Sequence, residues 1–569
     1  MNTRTRARMA VSAAVTAGLC LAGTAALSTP SRAATDTCDT AYPVANLTQG
    51  QPVTGLTVSN GTTPSAFTGS VLGVITDGVE PGVDLVMAKL SSPDIDDAGI
   101  WEGMSGSPVY AADGSLIGAV SYTLAWGQTP IAGITPWEDM AQYAGSVTPP
   151  SLRIPTSAAK DIAGHSAVTL AQAAQGFHEL KAPVVVAGLS DRALDEARHR
   201  PYLSRSASAA GHASAPSSLA DMVAGGNLVA TLATGDITIG GLGTITSVCS
   251  DRLVGFGHPL SFTGRTTYGL AGASALYIQK DPTGPSFKVA NVGSLLGTID
   301  QDRMTGISGT LGPTPPDLPI TSQVTYTDGS TTRSRTGESH VQLPDATAET
   351  AYYELVANTQ TVVDAFQGGG EEQSWTIKGH ASGRPFTFTG SNVYADRYDI
   401  ADASSYDVPD LLYVLTRLRS VTIDSVHVHA SVNDDSSHLR ITGVQQRRGG
   451  TWVDVNRHHR AIVAAGSTAT LRLVLKGGTT RKFQIAVPAK AQGMNGEIDV
   501  SAGNDYPFER GGLGSFAAIK AAVAGLTRTD QARVQFLAFG KRHVVKVRTA
   551  TAPAGQVLSG RAFIPVRIS

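Results

Sequence analysis

Cysteine is nearly absent from this chain: three in 569 residues, with Cys20 inside the first apolar run and only Cys38 and Cys249 beyond it. That spacing excludes a cysteine-based metal site. Charge is sparse too, at 16 % of residues, and close to balanced, with 44 Lys and Arg against 46 Asp and Glu. No basic excess is left to neutralise a phosphate backbone, which argues against a nucleic-acid partner. After residue 33 no apolar run is long enough to span a bilayer as a helix. Histidine is missing before His165, so a base acting on any earlier nucleophile comes from later in the chain.

The opening 33 residues combine Arg4, Arg6 and Arg8, an apolar run from Met9 to about Leu27, and the small-residue exit Ser31-Arg32-Ala33. This order reads as a secretory signal peptide. It predicts a secreted or cell-envelope protein with no stable membrane insertion after cleavage. Loss of the segment removes four arginines and no acid, so the balance becomes 40 against 46, a net charge of −6. Outside the cytoplasm the remaining pair of thiols is expected to oxidise, provided their Cα atoms come within reach, and Cys38–Cys249 is the predicted disulfide.

The 536 residues that follow exceed a single core. The chain's 62 glycines, its many Val and Thr, and short alternating runs point to β structure. Residues 34–150 hold closely spaced strands, among them SVLGVIT, VDLVMAKL, PVYAA, LIGAVSY and PIAGIT, which suit a small barrel or half of one. Residues 151–222 are irregular and end in SRSASAAGHASAPSS, a Ser/Ala-rich linker expected to have no fixed structure. Strands resume over 223–371, a block that closes with a helix in ATAETAYYELVANTQTVVDAF. There Tyr352, Leu355, Val356, Val362, Val363 and Phe366 mark the buried face. Residues 372–569 read as β-sandwich-like modules with a few helices.

One hexapeptide stands out. Gly103-Met104-Ser105-Gly106-Ser107-Pro108 places a serine between glycines on a tight turn, where its hydroxyl can be exposed while the N–H groups of Gly103 and Ser105 converge as oxyanion donors. A serine hydroxyl needs a base to become a nucleophile. His258, in VGFGHPLSF, follows a β-run and is bracketed by Gly257 and Pro259, so its ring is presented at a rim and is not paired within a sheet. His427 and His429 alternate on one strand face without a third ligand, and no metal or cofactor site is expected.

Together GMSGSP, DGSLIGAVSY, PIAGITPWEDM and GTITSVCSDRLVGFGHPL resemble the SpoIVB peptidase family, and most closely its long exported bacterial forms with the Ser motif before the His motif. The resemblance spans about residues 44–345. It implies a chymotrypsin-like serine peptidase domain with Ser105 as nucleophile and His258 as general base. It also implies an acid modestly upstream of the serine, where SSPDIDDAGIWEG offers Asp94, with Asp96, Asp97 and the strand-edge Asp84 as alternatives; a Ser–His dyad is a further option. Ser precedes His, as though the domain were circularly permuted, and no PDZ module is recognisable. The predicted architecture is mainly β: a chymotrypsin-like double β-barrel with permuted motif order, then β-sandwich-like modules.

The expected activity is that of a secreted serine endopeptidase acting on a protein or peptide substrate through an acyl-enzyme, with the C-terminal modules open to an envelope partner. The competing expectations are a non-catalytic envelope or adhesion protein on a retired peptidase scaffold, and an esterase. GMSGS lacks the second glycine of an esterase nucleophile elbow and leads into a strand.

Overall fold

The computed structural model describes residues 38–569, except 125–127, all but short stretches of 142–217, and 282–283, 504–505, 509–512 and 542. The signal segment 1–33 lies outside the described residues, as do His165 and His199.

The Ser-bearing half is a ring of strands. In chain order they are β1 (Pro52–Thr57), β2 (Ser65–Glu80), β3 (Val83–Ser91), β4 (Pro108–Tyr110), β5 (Leu116–Leu124) and β6 (Ile131–Pro136). Pairing runs β4-β1-β2-β3-β6-β5, and β5 returns to β4, which closes a six-stranded barrel. A seventh strand, β7 (Phe177–Glu179), pairs with the end of β5, Tyr122 to Leu124, beyond the stretch that meets β4. Alternation along β1 points Val53 inward, and all nine residues of β5 are buried. Phe67, Val71, Leu90, Trp101 and Ile117 fill the interior.

The His-bearing half repeats the scheme. β10 (Asn227–Gly235), β11 (Thr238–Cys249), β12 (Arg252–Gly255), β13 (Gly264–Gln279), β14 (Phe287–Arg303) and β15 (Gly306–Leu311) pair in the order β10-β11-β12-β15-β14-β13, and β13 returns to β10. The expected double barrel is therefore present, with Ser105 on the first ring and His258 on the second. Between them, β8 (Val184–Ala187) pairs with β11, and β9 (Ala207–His212) runs parallel to β8 and β14. For Ala207–His212 this corrects the reading of SRSASAAGHASAPSS as structureless; residues 204–206 and 213–217 of that stretch lie outside the described residues. A strand needs only main-chain partners, and small residues suit the place where Gly211 comes up against the Asn291 side chain.

The long sheet continues from β10 through β17 (Thr331–Val341) and β16 (Leu318–Asp328) to the strands Val421–Asn433, Gly369–Ala381 and Arg384–Asp396. The boundary expected at residue 371 thus falls within one sheet. Helices Thr347–Val363 and Asp407–Thr416 cover one face of it, joining Tyr352, Leu355, Leu411 and Leu415 to Trp375, Ile377 and Val428. Five of the six expected helix-face residues are buried. Phe366 lies past the helix end, which Asp364 closes at φ 59°. Beyond residue 438, two five-stranded sheets pack into a single sandwich around Leu471, Leu473, Ile498, Val534 and Phe536. Among the described residues no helix is long and apolar enough to cross a membrane.

The predicted disulfide joins Cys38 to Cys249 across a Cα separation of 4.9 Å. It fixes the first described residue to the end of β11, where Trp137 Nε1 also donates to the Asp39 carbonyl.

Candidate active site

The Ser105 turn is shaped by two glycines in the left-handed region, Gly103 at φ 90° and Gly106 at φ 100°. A Cβ at Gly106 would sit 1.9 Å from the Thr244 carbonyl oxygen and 2.6 Å from the Phe256 nitrogen, so only glycine fits where the two barrels touch. Met104 N–H donates to Trp101 O, Ser107 N–H to Met104 O and Gly106 N–H to Val120 O. The turn's carbonyls are taken by β11: Thr244 N–H donates to Ser105 O at 2.8 Å, Thr244 Oγ1 to Gly103 O and Thr246 Oγ1 to Gly106 O. Among the described residues the N–H groups of Gly103 and Ser105 have no acceptor. These are the two donors predicted for an oxyanion.

His258 is brought to this turn by β12, which pairs with the same stretch of β11. Phe256 and Gly257 both turn at positive φ, 70° and 72°. Gly257 is pressed against the first barrel: a Cβ there would lie 2.0 Å from Ser121 Oγ, and Thr135 Oγ1 donates to Gly257 O at 2.7 Å. The His258 ring is wholly buried. Its Nδ1 is 2.7 Å from Pro259 O and 3.3 Å from Glu179 Oε1. A carbonyl can only accept, so Nδ1 carries the proton of the neutral ring and Nε2 presents a lone pair. His258 Nε2 and Ser105 Oγ are both buried without a hydrogen-bond partner.

The rim beyond His258 hangs on a buried carboxylate. Asp302 accepts from Leu260 N–H at 2.8 Å, Ser261 N–H at 2.9 Å, Thr263 N–H at 3.3 Å and Tyr268 OH at 2.8 Å. Burial and this carboxylate push the Tyr268 phenol up to about 12.

The acid beside His258 is Glu179, which the sequence reading missed. Its strand pairs Glu179 with Tyr122, next to the Ser121 that meets Gly257. Asp94, the expected acid, is corrected: its carboxylate accepts from Ser59 Oγ at 2.6 Å, in the first turn of the helix Pro93–Ala98. The alternatives are engaged elsewhere, Asp96 by Ser91 Oγ, Asp97 by Lys280 and Asp84 by the Asp77 N–H. An acid-rich stretch after Ser92 suits a helix start, where carboxylates offset the helix dipole. Glu179 had only the short Phe-His-Glu-Leu alternation to announce it. Among the described residues no cluster could hold a metal ion; His427 Nδ1 pairs with Thr321 Oγ1. No family model, curated protein or solved structure matches this chain.

Proposed function

We propose that this protein is an exported serine endopeptidase of the SpoIVB kind, acting on a protein or peptide substrate. One observation carries the reading. Ser105 Oγ and His258 Nε2, the atoms between which a proton must pass, are both buried and hydrogen-bonded to no other group, though not to each other either, on loops held together through Thr244 and Gly106.

In this mechanism His258 Nε2 takes the proton of Ser105 Oγ as the oxygen adds to the scissile carbonyl. The carbonyl's π pair becomes an oxyanion on the N–H groups of Gly103 and Ser105, each such donor supplying about 10²–10³ in rate. The imidazolium shares its Nδ1 proton with Pro259 O and Glu179, and it returns the Nε2 proton to the leaving amine as the C–N bond breaks. Water then repeats the sequence on the acyl-enzyme and frees Ser105.

A second reading, a non-catalytic envelope-binding scaffold, is favoured by the burial itself: Ser105 and His258 are each 0 % exposed, so a substrate reaches them only if covering residues move. A fluorophosphonate probe separates the two. On the peptidase reading the folded protein is labelled at Ser105, located by peptide mass mapping; a protein that takes no label at that serine is the scaffold.

Glu179→Gln is expected to slow labelling by about tenfold. That is far less than the ~10⁴ lost when a sole orienting acid is replaced, because Pro259 O keeps holding Nδ1. Asp94→Asn is expected to leave the rate within about twofold of wild type, as surface substitutions do. Pseudo-first-order labelling rates measure both.

A further inference from the structure

Beneath the Ser105 turn lies a lysine that the mechanism above does not use. Lys288, on β14, is 1 % exposed. Its N–H donates to Glu102 O and the Glu102 N–H to Ser286 O, which sets the start of β14 against the residue before Gly103. The side chain then runs under the turn: a Cβ at Gly103 would lie 3.0 Å from Lys288 Cβ and 3.7 Å from Lys288 Cε.

The amine's partner is a carboxamide whose orientation is fixed. Asn227 Nδ2 donates to Gly61 O at 3.1 Å on the first barrel and to Ala273 O at 2.9 Å on the second. Its Oδ1 is left to accept, and Lys288 Nζ donates to it at 2.8 Å. Asn227 of β10 meets the amine itself, Ala273 of β13 holds that carboxamide from its other side, Leu242 of β11 flanks Gly103, and Glu102 is the acid on the adjoining segment, its backbone bonded to that of Lys288. Among the described residues no carboxylate pairs with it. Asp94 and Asp97, in the segment that leads to the turn, are held by Ser59 and Lys280. Burial alone pushes the amine down to about 7.

We propose that Lys288 is a positioning residue of the oxyanion site, its ammonium held by Asn227 beneath Gly103 so as to favour the negative charge that develops at the Gly103 and Ser105 N–H groups. The inference rests on the peptidase reading. A buried charge close to a developing anion acts in a medium of low dielectric, where it is worth more than at a surface. The support is present while the amine is protonated and is withdrawn as pH rises.

The test is the fluorophosphonate labelling rate of the full protein from pH 5.5 to 9.5, in wild type, Lys288→Met and Lys288→Arg. Wild type is expected to slow on the alkaline side, with a midpoint near the amine's 7 or above it. Lys288→Met, never charged, labels about tenfold more slowly at pH 6.5 and shows no alkaline fall. Lys288→Arg, charged throughout, loses the fall but keeps the rate. A wild-type rate that climbs to a plateau through pH 9.5 overturns the inference without recourse to any variant, as does a folded Lys288→Met with the wild-type profile. In either case a labelled Ser105 leaves the peptidase reading standing; no label at any pH removes both.

Discussion

Replacing His258 by alanine lowers the rate at which a fluorophosphonate labels Ser105 by about 10³-fold or more, while Ser105→Ala abolishes labelling at that position. The size follows from the geometry. Nδ1 is committed as a donor to Pro259 O, so Nε2 is the ring's only lone pair, and among the described residues Ser105 Oγ is hydrogen-bonded to no other base that could replace it. Lys288 is no substitute, because its Nζ is turned to Asn227 Oδ1. The expected residue of reactivity in His258→Ala comes from the two oxyanion N–H groups, which the substitution leaves in place. Circular dichroism and a thermal melt accompany the rates, since the removed ring also contacts Phe256 at 5.8 Å between centroids. A rate within tenfold of wild type in a folded variant would show that His258 is not the base.

Opening the Cys38–Cys249 bridge, by Cys38→Ser with Cys249→Ser, is expected to lower stability by up to about 5 kcal/mol in denaturant titrations, because the bridge closes a loop with a sequence separation of 211. The chain-entropy argument gives the ceiling, and what the native state keeps sets the measured value. Trp137 and Ser247 still hold Asp39, and the Tyr42 N–H still donates to Leu116 O. The same change bears on the site, because Cys249 ends the strand on which Thr244 and Thr246 seat the Ser105 turn. A loss under about 1 kcal/mol would mean that the segment from residue 38 docks without its covalent tie.

The residues legible in the sequence were those whose neighbours were unusual. Ser105 and His258 each sit beside glycines that take up positive φ in the structure, and a glycine-rich turn or a Gly-His-Pro step is visible without knowing what it packs against. The β architecture was legible for a similar reason, since alternation and turn residues are local. Glu179 was not, because its role depends on the register of a three-residue strand inside a stretch whose composition suggests a linker. The strand Ala207–His212 was hidden in the same way, alanine and serine carrying no strand preference of their own. Lys288 lies in FKVANV, where a lysine suggests a solvated strand face; its burial comes from Glu102 and Gly103, nearly two hundred residues earlier in the chain. Asp302 shows the same limit, its worth lying wholly in the loop it gathers from residues 260–263.

A polypeptide with so many strands risks sticking to its own copies wherever a ladder stops. The two closed rings remove that hazard around Ser105 and His258, since every strand in them has neighbours on both sides. The outer margins carry their own guards. The last strand of the long sheet, Arg384–Asp396, begins Arg-Pro, and Pro385 withholds one N–H from any intruder. The outermost strand of one sandwich sheet, Val544–Ala550, sets Lys546 and Arg548 outward, so that two such margins repel before they can zip together.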